Sequence, residues 1–399
     1  MVSNLQAQTT GYLNPFSAEH AMFRKTLRTF IEREINPHVD AWEEAEIWPA
    51  HDVLKKLGDL GALGLTYEAE YGGMEADYWY TVVFGEELGR IDCAGVPMGI
   101  AVHSDMATPA LAQWGTPELK RQYLEPAIRG DMVAAVAVTE PDAGSDVASI
   151  RTFARLDGDD YVINGAKLYI TNGVQADWIC LLARTSDEGG FRGMSLIVVP
   201  TSTPGFRVSR KLKKLGNHSS DTAELSFEDV RVPVSNRIGE EGMGFILQMQ
   251  QFQKERLIGA IMGISGAERA VRRTIDYLKM RQTFGRPIID NQFVHFKLVE
   301  LITEIEMQRQ FSYHCAAKIA AGEDVTREAS MAKLKVGRLM REVADWCMQF
   351  HGGIGYMEET WVSRYYRDAR LTSIGGGADE IMLGIIAKYE GILPPRSRA

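Results

Sequence analysis

The chain has 399 residues, 45% of them hydrophobic, enough to bury a large core spread over two or three domains. Its 44 Lys and Arg against 53 Asp and Glu leave a formal net charge of -9, which excludes the basic face that a nucleic-acid partner requires. No apolar run approaches bilayer length, the first 17 residues carry neither an apolar signal core nor an arginine-rich transit pattern, and Cys93, Cys180, Cys315 and Cys347 lack C-x-x-C spacing; a cytoplasmic or mature organellar-matrix protein with reduced, buried thiols is expected.

Ser17 is placed to cap a helix from Ala18 to Ile35, with Phe23, Leu27, Phe30 and Ile31 at helical spacing and Asn36-Pro37 as its stop. Trp48-Pro49 opens a second helix, His51 to Leu57, which breaks up in the glycines of GDLGALGL. Tyr71-Gly72-Gly73 reads as a turn before a helix that carries Glu86 to Arg90. Helices follow over His103 to Trp114 and, after Thr116-Pro117-Glu118, up to Ile128, so residues 1–131 form an all-helical domain.

From Met132 to about Arg237 the pattern is strand-like: VAAVAV, YVING, LYIT, WICLLAR, SLIVVP and TAELSFEDVRVP, with turns at Asp157-Gly158, Gly189-Gly190 and Thr203-Pro204-Gly205. Short strands this close predict a small β-barrel or sandwich over 132–240. No strand is followed by G-x-G-x-x-G and there is no Walker glycine-lysine loop, which disfavours a Rossmann or P-loop nucleotide site. After Gly242-x-Gly244 four long helical patterns, Phe245 to Arg281, Gln292 to Ala321, Thr326 to His351 and Glu380 to Tyr389, predict a four-helix bundle in 241–399. The fold class is therefore α+β. None of the eight histidines sits in H-E-x-x-H and no G-x-S-x-G is present, so neither a metal site nor a serine nucleophile is expected.

Two stretches of the β region carry the chemistry. In VAAVAVTEPDAGSD the strand stops at Thr139-Glu140-Pro141, and Gly144-Ser145-Asp146 follows. Such a turn offers free backbone N–H groups, with the Thr139 and Ser145 hydroxyls, to an anionic or polar heterocyclic ligand; an ordinary strand-to-loop turn accounts for this segment equally well. Further on, Asn164-Gly165 reads as a hairpin turn, and Tyr169 and Thr171 fall on one strand face before Asn172-Gly173.

Together TEPDAGSD and YITNG resemble the acyl-CoA dehydrogenase flavoprotein family over nearly the whole chain, with Arg281-Gln282-Thr283-Phe284-Gly285, Gln292 and Gln349-Phe350-His351-Gly352-Gly353-x-Gly355 as further marks. The resemblance implies a β domain that walls one side of FAD between two helical domains, removal of an α-proton from an acyl-CoA thioester with β-hydride passing to the flavin, and a trans-2-enoyl-CoA product. It implies cofactor contacts at Val136, Val138, Thr139, Gly144, Ser145, Tyr169, Thr171, Gln349, Gly352, Gly353, Ala378 and Glu380, with Arg281, Phe284 and Gln292 supplied by a neighbouring subunit. Tyr169 stands where the family often has Trp. A homotetramer and an electron-transfer flavoprotein as acceptor are implied in the same way.

Many members carry the base in the last loop, in a Tyr-Glu-Gly triplet; here that loop reads Ile374-Gly375-Gly376-Gly377-Ala378-Asp379-Glu380, with Gly376 in the base's place. The isovaleryl and long-chain subset instead has it on a helix of the third domain, just before an arginine, which corresponds to Glu255-Arg256. Gly259 and Gly263 lie four and eight residues on, so one helix face presents an acid beside two positions without side chains, a groove for substrate. The alternative is a solvated Lys254-Glu255-Arg256 surface cluster. Gly376 still offers a main-chain N–H to the thioester carbonyl, and Ser145, Gln253, Arg256 and Gly377 are candidate substrate contacts. His351 and Met331, Met340 and Met348 read as ordinary core. The three glycines remove bulk, pointing to a long or methyl-branched acyl chain. A flavin oxidase on the same scaffold and a non-catalytic homologue remain open at this point.

Overall fold

A computed structural model describes residues 14–393, so most of the N-terminal stretch without a signal or transit pattern lies outside the described residues. The N-terminal part is helical throughout: α1 (Ala18–Phe30), α2 (Val39–Glu44), α3 (Ala50–Asp59), α4 (Tyr78–Leu88), α5 (Gly95–Ala101), α6 (Thr108–Trp114), α7 (Pro117–Leu119) and α8 (Glu125–Ile128). Ser17 caps α1 by accepting from the His20 N–H. Asn36-Pro37 does not stop the helical run as expected. Pro37 has no N–H to continue the α ladder, and the chain passes through a π turn (Ile31–Ile35) and a 3-10 turn (Asn36–His38) into α2. Trp48, Leu54, Phe84, Leu88, Val96 and Ile100, all almost fully buried, close this core.

The central part is one mixed sheet of β1 (Ala134–Ala137), β2 (Phe153–Asp157), β3 (Asp160–Thr171), β4 (Trp178–Arg184), β5 (Met194–Pro200), β6 (Phe206–Lys211), β7 (Thr222–Pro233) and β8 (Arg237–Ile238), in the order β6-β7-β3-β2-β4-β5-β8 with β1 parallel on β4. WICLLAR is apolar on both faces up to its last residue, and every residue but that one is buried. Trp178, Cys180 and Leu182 pack against Leu111 and Tyr123 of the helical domain, while Ile179, Leu181 and Ala183 meet Ile163, Leu225 and Phe227 as the sheet curls on itself.

Asn164-Gly165 is not a hairpin turn. It lies inside β3, with Gly165 opposite Phe227, and the β2–β3 hairpin turns instead at Gly158. Here the pattern misled because Gly165 meets a packing need: a Cβ on it would stand 2.7 Å from the Thr152 Cα. YVING and LYIT are one bent strand. Its bulge between Lys167 and Ile170, with Tyr169 at a φ of 62°, breaks the alternation that would put Tyr169 and Thr171 on one face.

The C-terminal part holds α9 (Gly244–Met280), a two-stranded hairpin of β9 (Gln282–Thr283) and β10 (Arg286–Pro287), α10 (Gln292–Ala320), α11 (Thr326–His351), α12 (Trp361–Ala369) and α13 (Asp379–Tyr389). The short α12, capped by Thr360, adds a fifth helix to the expected four. Ala260, Ile264, Ala267 and Val271 of α9 pack on Val336, Met340 and Val343 of α11. All four cysteines are free and buried, as expected. No helix among the described residues is long and apolar enough to cross a membrane.

Candidate active site

Helix α9 runs from the sheet into the bundle, and where it passes the N-terminal domain its side chains must satisfy two packing surfaces at once. Glu255 and Arg256 are buried there, each about 8% exposed, whereas Lys254 stays exposed, so the triplet is not a solvated cluster. Burial pushes the Glu255 carboxyl from 4.5 to about 8, against the opposing pull of the Gln251 hydrogen bond and the Arg256 charge. Gln251 donates to Glu255 Oε1 at 2.7 Å and Gln248 does so at 3.3 Å. The Gln251 amide also donates to the Met106 carbonyl, in a π turn (Val102–Ala107) that carries Asp105. Burial raises Asp105 to about 6. Periodicity gives no sign of this turn and predicts plain helix from His103 to Trp114.

The groove expected beside Glu255 is half right. A Cβ on Gly259 would meet nothing within 4 Å, but one on Gly263 would stand 2.6 Å from the Met340 Sδ. Gly259 thus leaves open space and Gly263 is a helix-packing contact with α11. Gln253 is not brought to the acid: its amide donates to Asp324 at 2.8 Å and accepts from the Val325 N–H at 3.1 Å, fastening the α10–α11 turn.

The loop before α13 does come to this place. Ile374 and Gly375 N–H groups both donate to the Leu371 carbonyl, and Gly376 follows at a φ of 64°, which glycine adopts without strain. Nothing lies within 4 Å of where a Gly376 Cβ would stand, and among the described residues no backbone carbonyl accepts its N–H. A Cβ on Gly377 would be 3.9 Å from Arg256 Nη2. The Lys333 ammonium, which sequence gave no reason to single out, donates to the Gly377 carbonyl, and burial lowers it to about 8. Ala378 is the N-cap residue of α13, Asp379 is held by Arg338 and Arg341, and Glu380 is exposed.

Across the sheet, Val136 and Val138 are half-buried at the end of β1, Thr139 and Thr171 are half-buried, and Gly144, Ser145 and Tyr169 are exposed, Tyr169 at 66%. This ledge of small residues, hydroxyls and an uncovered aromatic ring fits a planar heterocycle; a Cβ on Gly144 would meet only the Thr139 Cγ2, at 4.0 Å. Its support is a pair that sequence did not reveal. Lys167, fully buried, bonds Glu140 Oε1 at 2.9 Å and the Val138 carbonyl at 2.8 Å, and Glu140 also accepts from the Arg151 and Thr152 N–H groups. Asn172, likewise buried, donates to the Gly99 and Ala134 carbonyls and joins the sheet to α5.

The remaining candidates lie apart. Arg281, Phe284 and Gln292 are exposed on the hairpin and at the start of α10, Phe284 fully so. Gln349 is exposed at the end of α11, where Gly352, at a φ of 63°, and Gly353 have open space around them. His351 is core: it hydrogen-bonds the Cys347 carbonyl at 2.7 Å and stacks on Tyr277. No cluster of metal-ligating residues occurs among the described residues.

The helical, β and helical succession, with the buried Glu255 beside Arg256 and the glycine loop reaching Arg256, is the arrangement of one enzyme family. Family profiles described as the N-terminal, middle and C-terminal domains of acyl-CoA dehydrogenase match residues 17–131, 135–230 and 242–390, and the chain belongs to the acyl-CoA dehydrogenase family, whose members bind FAD. It is 38% identical over 380 residues to the long-chain specific mitochondrial acyl-CoA dehydrogenase of Sus scrofa, covering 94% of this chain and 86% of that one. It is 38% identical over 371 residues to an acyl-CoA dehydrogenase of Bacillus subtilis, covering 93% and 97%. The crystal structure of an acyl-CoA dehydrogenase from Geobacillus kaustophilus superposes with a TM-score of 0.92 at 42% identity, covering 95% of this chain and 99% of that one.

Proposed function

We propose that this enzyme converts a long or methyl-branched acyl-CoA to the trans-2-enoyl-CoA, with Glu255 as the base that takes the α-proton. The observation that carries the reading is the Glu255 carboxyl itself, buried, held on one oxygen by two glutamines and raised to about 8, close to the value a base needs near neutral pH. FAD, when bound, accepts the β-hydride. The ledge of Val136, Val138, Thr139, Gly144, Ser145, Tyr169 and Thr171 receives its ring and phosphates. Ala378 and Glu380 reach it from the last loop, Gln349, Gly352 and Gly353 line its adenine end, and Arg281, Phe284 and Gln292 come from another copy of the chain in a homotetramer. The electrons leave to an electron-transfer flavoprotein.

In the substrate site the Gly376 N–H donates to the thioester carbonyl, where charge develops as the α-proton departs. Lys333 fixes that loop through the Gly377 carbonyl, and Arg256, Ser145 and Gly377 flank the entering chain. The open space at Gly259 and Gly376 supports an acyl group with extra bulk near the reacting carbons. Turnover of straight acyl-CoAs of graded length against their 3-methyl counterparts tests this. Long or 3-methyl substrates are expected to have the higher kcat/KM; a preference for short linear chains removes the substrate assignment and leaves the chemistry standing.

A further inference from the structure

Gln248, Gln251 and Glu255 lie on one face of α9, spaced by three and four residues, and all are buried. Among the described residues only these two glutamines hydrogen-bond to Glu255, both through their amide N–H and both to Oε1. That leaves the Oε1 atoms of Gln248 and of Gln251 buried without any hydrogen-bond partner. Two stranded acceptors beside one acid are costly, since a buried polar atom without a partner loses its solvation for nothing. A carboxylate only accepts, whereas a carboxylic acid must also donate, and a glutamine amide can serve either need by turning over.

We propose that Gln251 and Gln248 are positioning residues that hold Glu255 in both of its protonation states: as a carboxylate it accepts their N–H groups, and as an acid it donates its O–H to one of their carbonyls. The inference rests on Glu255 being the base. The proton leaves the substrate α-carbon for a Glu255 oxygen, the glutamines neither gain nor lose atoms or electrons, and one hydrogen bond reverses direction. The neighbouring ionisable groups do not do this work. Arg256 on the same helix and Asp105 on the π turn, with Lys254 against it, act on Glu255 through charge, Cys180 on β4 is a neutral thiol that burial and the Glu255 charge push up, and none is hydrogen-bonded to Glu255.

The test compares the holoenzyme with its Gln251→Leu, Gln248→Leu and Glu255→Gln variants. Losing a donor to the carboxylate raises its proton affinity, so the acid limb of the kcat/KM profile moves upward by about one pH unit in either leucine variant, and turnover on the acid side falls roughly tenfold. Difference infrared titration supplies a readout apart from activity: the carboxylic C=O band that vanishes in Glu255→Gln shifts in each leucine variant, because the acid's O–H keeps only one glutamine carbonyl to accept it. If Gln251→Leu fails to fold, because Met106 also loses its partner, Gln248→Leu decides, since among the described residues its amide hydrogen-bonds only to Glu255. An inactive Glu255→Gln with the limb and band of the leucine variants unmoved overturns the glutamine proposal alone. An active Glu255→Gln overturns it together with the base assignment.

Discussion

Replacing Glu255 by Gln should abolish turnover and yet make the protein more stable in alkali, an unusual pairing that follows from why the acid is perturbed. Burial lifts its carboxyl from 4.5 to about 8, so the folded chain binds that proton more tightly than the unfolded chain does. Stability from this group is therefore fully present below 4.5 and is lost as pH rises through the window up to about 8. The rise from 4.5 to about 8, at about 1.4 kcal/mol per pH unit, sets an upper bound of about 5 kcal/mol for the cost of ionising the buried Glu255. Glutamine is neutral throughout and can pair with both the N–H groups and the stranded carbonyls of Gln248 and Gln251. Thermal or urea denaturation should thus find the variant more stable by a few kcal/mol at about pH 8.5, with the gap shrinking to about 1 kcal/mol near pH 5.5. Acyl-CoA added anaerobically should bleach the flavin of the variant at least 100-fold more slowly, the usual contribution of a positioned base being on the order of 10²–10⁴. A variant that is less stable at both pH values would refute the burial argument, and one that bleaches at the parent rate would refute the base.

Gly263→Ala should destabilise by about 1–3 kcal/mol, because its Cβ enters Met340 and Val336 at 2.6 and 2.9 Å, whereas Gly259→Ala should be neutral or stabilise by up to about 1 kcal/mol while raising KM for bulky acyl-CoAs. Equal stabilities, read by denaturant midpoints, would mean that α9 and α11 are not packed as described. Lys167→Met leaves Glu140 buried without its cation and should cost about 3–5 kcal/mol with loss of retained FAD; in the Lys167→Met, Glu140→Leu double variant much of that stability should return. A single variant with parental melting and FAD content would count against the pair as the ledge's support.

What could be read in the chain was whatever repeats or stands next to its cause. The long apolar periods gave α9, α10 and α11 nearly to the residue, because a bundle helix announces its buried stripe along its own length. The missing pieces depend on partners far away in sequence. Lys167 occupies an alternating strand where a lysine ordinarily points to water; only Glu140, 27 residues earlier, makes its burial tolerable, and nothing local marks the pair. Gly263 and Gly259 look alike on a helical wheel, and only the approach of Met340 distinguishes a packing contact from a groove. The same holds for the base. The motif placed Glu255 and its helix face, but the raised proton affinity that makes it useful comes from burial, set against the opposing pull of two glutamines, one of them tied to the Met106 carbonyl of the π turn. Composition cannot reveal that, since a glutamine on a helix is most often solvated. The proton affinity of the acid is thus a property of the packing between domains, and substitutions along that seam should move the pH profile even where they touch neither substrate nor cofactor.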